Sequence, residues 1–169
     1  MTLQVPLGGL QGKPQLMETP ASFWARCSAQ MGPAAQACGY TERRIGNSAE
    51  LVDQVLEFVL SGEKTGTFSL PEELAHEGPL PQAGDYFVLT RFDGSAACLV
   101  VMEECQEVPF DQISQRHIDV EAPAVRDLKL WRDFHRQYWG SVLAARGESF
   151  SDSQLILAQR FRLLAVADT

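Results

Sequence analysis

The sequence predicts an α+β fold in which a small mixed sheet curls into a barrel and helices pack against it. Three observations carry this reading. An amphipathic helix spans residues 49–60 and meets Gly62 at its end. Two apolar runs, 85–92 and 95–101, flank Asp93-Gly94, a two-residue turn suited to positive backbone φ and hence to a hairpin. Residues 155–164 alternate between apolar and polar side chains, as a half-buried strand requires.

The elements follow in order. Residues 1–18 mix Gly, Pro, Gln and single apolar residues without periodicity and read as a flexible leader, leaving one domain over 19–169. Thr19-Pro20 opens a helix, with threonine as cap and proline where a missing N–H costs nothing. Phe23 and Trp24 form its buried side, Gly32-Pro33 ends it, and 33–47 reads as an irregular connection carrying Arg43-Arg44. Asn47 or Ser48 caps the second helix, and Glu50 stands three residues after Asn47 as in a capping box. Leu51, Val55, Phe58 and Val59 recur at helical spacing, while Val52, Leu56 and Leu60 widen the stripe. Gly62 is placed to stop this helix in a left-handed conformation. Residues 65–70 then read as a strand and 71–76 as a helical turn. The second hairpin strand continues toward Val108, residues 112–120 and 127–144 read as helices separated at Pro123, and the strand at 155–164 closes the domain.

Composition bounds the function. A chain of 169 residues fits one domain, able to bury roughly two-thirds of its unfolded surface. No run approaches the roughly 18 apolar residues of a membrane span. The N-terminus is interrupted by Pro6, Gly8 and Gly9, unlike a secretory signal, so a cytoplasmic protein without a membrane partner is expected. Four cysteines at 27, 38, 98 and 105 form no Cys-x-x-Cys pair, and the histidines are His76, His117 and His135. Neither a metal nor a disulfide is expected from that spacing, and Cys98 reads as a small buried hydrophobe. A net charge of −8 argues against broad attachment to nucleic-acid backbone, which needs clustered Lys and Arg.

Between Glu50 and Ser114 stand 13 acidic residues and only two basic ones, Lys64 and Arg91. Lys64 follows a helix exit and precedes the hydroxyls of Thr65 and Thr67. It is either a solvated turn cation, stabilised by the helix dipole by about 0.3–1 kcal/mol, or the cationic centre of a pocket. Service as a base would require desolvation.

These residues resemble the ASCH domain, a member of the PUA-like superfamily associated with RNA. The resemblance covers 22–164 and rests on the Phe23-Trp24 helix, then the helix leading into Gly62-x-Lys64-x-x-Thr67. Further along, it includes Gly84-Asp85, Val108-Pro109-Phe110-Asp111, Trp131-x-x-x-His135 and Arg160-Phe161. It implies a PUA-like β-barrel of about five to six strands flanked by helices, with a cleft lined by the Gly-x-Lys-x-x-Thr turn. Some relatives resemble a bacterial amidohydrolase acting on N4-acetylcytidine through a Lys, a Thr and a Glu, whereas others act as ribonucleases or RNA binders. By motif the Lys and Thr carry over to Lys64 and Thr67, and the Glu to Glu121, since His117-x-x-x-Glu121 reproduces a spacing of that enzyme. Many larger relatives carry Glu-Gly-Glu-Gly-Asp where this chain has Glu121-Ala122-Pro123-Ala124, and proline restricts its own backbone and that of Ala122.

The resemblance thus implies a cleft that binds a nucleoside or RNA-type ligand and hydrolyses the amide of an N4-acylcytidine-like substrate. Its catalytic set would be Lys64, Thr67 and Glu121, without a metal or organic cofactor. Lys64 would activate Thr67 or water, and Glu121 would assist departure of the amine. Thr67 reads equally as a strand threonine bonded locally, and Glu121 as a helix-end carboxylate. Thr65, Arg43, Arg44, Trp131 and His135 are the expected substrate contacts. Trp131 and His135 share a helix face, where a packed histidine is the first reading and a ligand contact the second. Trp131, Tyr138 and Trp139 read first as core or surface-groove aromatics and second as stacking partners for a base. The partner is a nucleoside-like small molecule or a short single-stranded RNA. In the second case the protein is an RNA binder or ribonuclease that uses Lys64, Arg43, Arg44, Arg132 and Arg136 against phosphate. A non-catalytic nucleotide-ligand sensor is the third reading.

Overall fold

The computed structural model describes residues 17–168. The predicted leader lies outside that span except for its last two residues. Glu18 is already tied to the domain: its carbonyl accepts from the Ala96 N–H at 2.8 Å and its carboxylate pairs with Arg26.

The strands are β1 (Thr41–Arg43), β2 (Gly66–Ser69), β3 (Tyr86–Thr90), β4 (Ala96–Pro109) and β5 (Leu155–Val166). They form one mixed sheet in the order β1-β3-β4-β5-β2, with β1 parallel to β3 and every other pair antiparallel. The β3–β4 turn is not the two-residue turn expected but a three-residue loop, 92–94. The Gly94 N–H donates to the Arg91 carbonyl at 3.0 Å, the Arg91 N–H donates to the Ser95 carbonyl at 2.8 Å, and Gly94 alone of the loop has a positive φ, 88°. In the sheet β1 and β5 are separated by β3 and β4. Arg43 of β1 donates to the side-chain carbonyl oxygen of Gln159 on β5 at 2.6 Å, so the two long side chains share one face of the sheet and meet across the strands between them. No ladder joins β1 to β2 among the described residues, so the sheet keeps two edges.

The helices are α1 (Pro20–Met31), α2 (Pro33–Cys38), α3 (Ala49–Ser61), α4 (Pro71–Ala75), α5 (Gln115–Ile118) and α6 (Leu128–Ala144). Thr19, Ser48 and Asp127 cap α1, α3 and α6 through their side-chain oxygens. Two expectations change. The segment 33–47 is not irregular: Pro33 starts a second helix directly after Gly32, and three residues beyond it form β1. The helix expected at 112–120 is a 3₁₀ turn, Phe110–Gln112, followed by the single turn α5. His117 Nδ1 accepts from the Ser114 N–H at 3.0 Å and so fixes the start of α5. The Val120 carbonyl is taken by the Thr65 N–H at 2.8 Å, which draws the chain out of the helix.

Packing explains which faces are used. On α3 the residues driven fully inside are Val52, Leu56 and Val59, against Phe87, Val100 and Phe161, while Leu51 from the expected stripe stays 41% exposed. On α6, Trp131, Trp139 and Leu143 pack on Phe110, Val108 and Ile156. On α1, Phe23, Trp24 and Cys27 pack on Val88 and Leu99. No helix among the described residues is long and apolar enough to cross a membrane.

Candidate functional site

Lys64 is positioned by the exit from α3. Gly62 adopts φ 81° and ψ 6°, a left-handed stop that a side chain would strain, and the Lys64 N–H returns to the Phe58 carbonyl at 2.9 Å. The next residue is pinned on both sides: the Thr65 N–H reaches Val120, and its carbonyl accepts from the Phe161 N–H at 2.8 Å. Gly66 follows where nothing larger fits. A Cβ there would collide with the Gln159 backbone carbonyl oxygen and stand 2.6 Å from a Val120 methyl. The close approach of β2 to Val120 brings Glu121 alongside Lys64.

The Lys64 ammonium bonds directly to Glu121 Oε2, and both residues are buried. The other carboxylate oxygen accepts from the Trp131 indole N–H at 3.3 Å. One oxygen thus faces a cation and the other a neutral donor, so each buried charge has a partner. A buried pair of this kind is tolerated only with such satisfaction, because desolvating two ions costs several kcal/mol. Arg126, which the sequence reading did not single out, braces the pair from outside. Its Nε donates to the Glu121 carbonyl at 2.7 Å and its terminal nitrogen to the Glu63 carbonyl. Only folding reveals that role, since the sequence shows a lone arginine before a helix cap.

Thr67 is buried on β2 directly across from Gln159 of β5. Strand alternation places Gly66 and Phe68 on the opposite face, and the Phe68 ring meets Trp131 at 4.7 Å. No hydrogen bond joins Thr67 to Lys64 or Glu121 among the described residues. Gln159, read from sequence beside the polar Arg160 and Arg162, is instead 2% exposed. It accepts from Arg43 and donates to the Ser69 hydroxyl at 3.1 Å. Arg43 also lies over the Phe87 ring at 4.3 Å, and burial lowers its pKa from the ordinary value.

The remaining expected contacts separate. Thr65 lines the same cavity as Lys64. His135 stacks on Trp131 at 4.0 Å and its Nδ1–H donates to the Trp131 carbonyl at 2.8 Å, so Nε2 is the acceptor of the neutral ring. Burial holds its pKa below the usual imidazole value. Trp131 and Trp139 are core residues, whereas Tyr138 is exposed. Arg44 is exposed and sits over Phe92. Arg132 donates to the Asp111 and Ile113 carbonyls, and Arg136 pairs with Asp152 at 2.9 Å, so both are engaged within the chain. No cluster of three His, Cys, Asp or Glu side chains able to hold a metal occurs among the described residues.

A cavity of about 330 Å³ opens beside Lys64, lined by Lys64, Thr65, Glu103, Arg160 and Arg162 among others, while Thr67, Glu121, Trp131 and His135 are not in its lining. The chemistry available there is that of a shielded ammonium that can stabilise developing negative charge, with the Glu121 carboxylate bonded behind it.

Comparison with known proteins agrees with this architecture. The family model described as ASCH domain matches residues 43–165. The chain is similar to the crystal structure of an ASCH domain from Lactobacillus crispatus JV V101, at TM-score 0.75 and 19% identity over 89% of this chain and 98% of that one. It is also similar to a solved protein from Enterococcus faecalis V583, at TM-score 0.67 and 22% identity over 75% of this chain and 77% of that one. At these identities the two structures speak for the fold alone. No curated protein matches the sequence.

Proposed function

This chain belongs to the ASCH domain family, and on that basis we propose that it binds a cytidine-like nucleoside bearing an N4-acyl amide and hydrolyses that amide. The observation that supports this reading is the Lys64 ammonium, which lines a cavity and is bonded from within to the buried Glu121 carboxylate.

Amide hydrolysis needs a proton acceptor for the attacking water, a donor for the developing oxyanion and an acid for the leaving amine. In this reading the Lys64 ammonium faces the acyl oxygen. Glu121 takes a proton from water as its oxygen adds to the acyl carbon. The same carboxyl returns that proton to N4 as the carbon–nitrogen bond breaks, giving a carboxylic acid and the free exocyclic amine. Trp131 keeps the carboxylate aimed throughout. Water is assigned as nucleophile because Thr67 faces Gln159 and has no bond to the pair.

The direct test incubates the protein with N4-acetylcytidine and follows release of cytidine. Turnover is expected, with Lys64→Met and Glu121→Gln each losing about 10²–10⁴-fold and Thr67→Ala losing less than about tenfold. A Thr67→Ala loss as deep as that of Lys64→Met would make the hydroxyl the nucleophile, and absence of turnover would refute hydrolysis. The sensor reading draws support from the complete internal pairing of Glu121; it predicts cytidine binding without turnover. The RNA reading has less support, because Arg132 is held by the Asp111 and Ile113 carbonyls and Arg43 by the buried Gln159 side chain.

A further inference from the structure

Two cavities among the described residues differ in charge. The one beside Lys64 is lined by three cations, Lys64, Arg160 and Arg162, against one carboxylate, Glu103. The other, about 310 Å³, sets Arg43 against Glu42, Glu77 and Asp85. In a chain of net charge −8, a basic lining in one cavity is a local arrangement and not a consequence of composition.

Strand geometry makes that lining convergent. Arg160 and Arg162 stand two residues apart in β5, so their side chains leave the same face about 7 Å from each other. Gly66 pairs across from Arg160, and Lys64 lies two residues before Gly66. The β4 register slips between Met102 and Glu104, and this bulge leaves two successive carboxylates beside the arginines. Glu103 meets Arg162 at 2.8 Å, and Glu104 approaches Arg160 at only 3.9 Å. The arginine side chains are 61% and 40% exposed. Such solvated pairs are weak, so either guanidinium can be turned from its carboxylate by a stronger anion. A phosphate is that anion, since it offers both negative charge and paired oxygens to the planar fork.

From this arrangement we infer that the ligand carries a phosphate held by Arg160 and Arg162 at the Lys64 cavity, so that the substrate is an acylated nucleotide and not the bare nucleoside. The inference rests on the nucleoside reading given above. A cavity of this size sits at the small end of small-molecule sites. Glu103 in its lining and Glu104 beside Arg160 would repel the further phosphates of a long polyanion, which favours a mononucleotide over RNA.

The experiment is calorimetric titration of the full chain with cytidine and with cytidine 5′-monophosphate at low salt. The nucleotide is expected to bind at least about tenfold tighter than the nucleoside, an advantage that shrinks as salt rises. The double variant Arg160→Gln/Arg162→Gln should abolish the advantage and leave cytidine affinity within about twofold. Arg162→Gln alone should reduce it partly, which covers the case of a poorly folded double variant. Arg116→Gln, at an exposed arginine that does not line this cavity, should leave it intact. Equal affinity for the two ligands, or an advantage that survives both arginine variants, overturns the phosphate inference alone. Failure of both ligands to bind overturns the nucleoside reading with it. Tighter binding of a short single-stranded RNA than of the mononucleotide overturns the inference in favour of RNA.

Discussion

Removing one member of the Lys64–Glu121 pair should destabilise the protein more than neutralising both. Lys64→Met leaves the Glu121 carboxylate, 7% exposed, with only the Trp131 N–H as partner. Glu121→Gln leaves the ammonium, 5% exposed, against a neutral amide. Each single change strands a buried charge and should cost about 3–5 kcal/mol. In the double variant the introduced amide still offers an acceptor to Trp131, and the remaining penalty is one unsatisfied amide donor, about 1–3 kcal/mol. The coupling between the two sites is then at least about 3 kcal/mol, at the upper end for residues in contact. Urea denaturation reads this directly. At an m-value of about 2 kcal/mol/M, each single variant lowers the midpoint by about 1.5–2.5 M, and the double variant by less than either. Additive losses would show that the two groups do not meet in solution. Single losses below about 1 kcal/mol, far short of the buried-pair range, would show that water reaches the pair.

Three further outcomes follow from other parts of the site. Gly66→Ala drives a methyl against the Gln159 carbonyl and Val120, so it should cost about 1–3 kcal/mol or more by urea denaturation; a change under about 0.5 kcal/mol would contradict that packing. Burial lowers the His135 pKa from its ordinary value of 6.5, with the Trp131 carbonyl and Glu121 partly offsetting and Lys64 reinforcing the effect. The unfolded imidazole then binds its proton more readily than the folded one. The His135 contribution is therefore full above about pH 6.5 and is lost as pH falls, at no more than about 1.4 kcal/mol per unit. The stability gap between wild type and His135→Asn should shrink over that range, and a gap independent of pH would refute the burial argument. Thiol labelling of the native protein should modify exposed Cys38 first. Cys98 should react only on unfolding, since burial pushes its thiol up to about 12; early labelling of Cys98 would mean that the sheet interior is open.

Features legible before any coordinates are the local ones. Backbone preferences and side-chain periodicity act within a few residues, so the stop at Gly62, the hairpin around Asp93-Gly94, the cap of α1 at Thr19 and the strand after Leu155 could all be read from the chain alone. The same locality set the limits. Periodicity marked α3 as amphipathic but did not fix which side of its wide stripe turned inward, because that depends on the sheet it meets. The three residues of β1 carry no period, and they are extended because they pair in parallel with β3. Nothing local marked Gln159 as buried; it is covered because Arg43 reaches across the sheet to bond with it. Above all, Lys64 and Glu121 are separated by 57 positions, and nothing in local chemistry dictates that they touch. Long-range packing made that contact: Gly66 let β2 approach Val120, and the buried ammonium gained a partner that water no longer supplied.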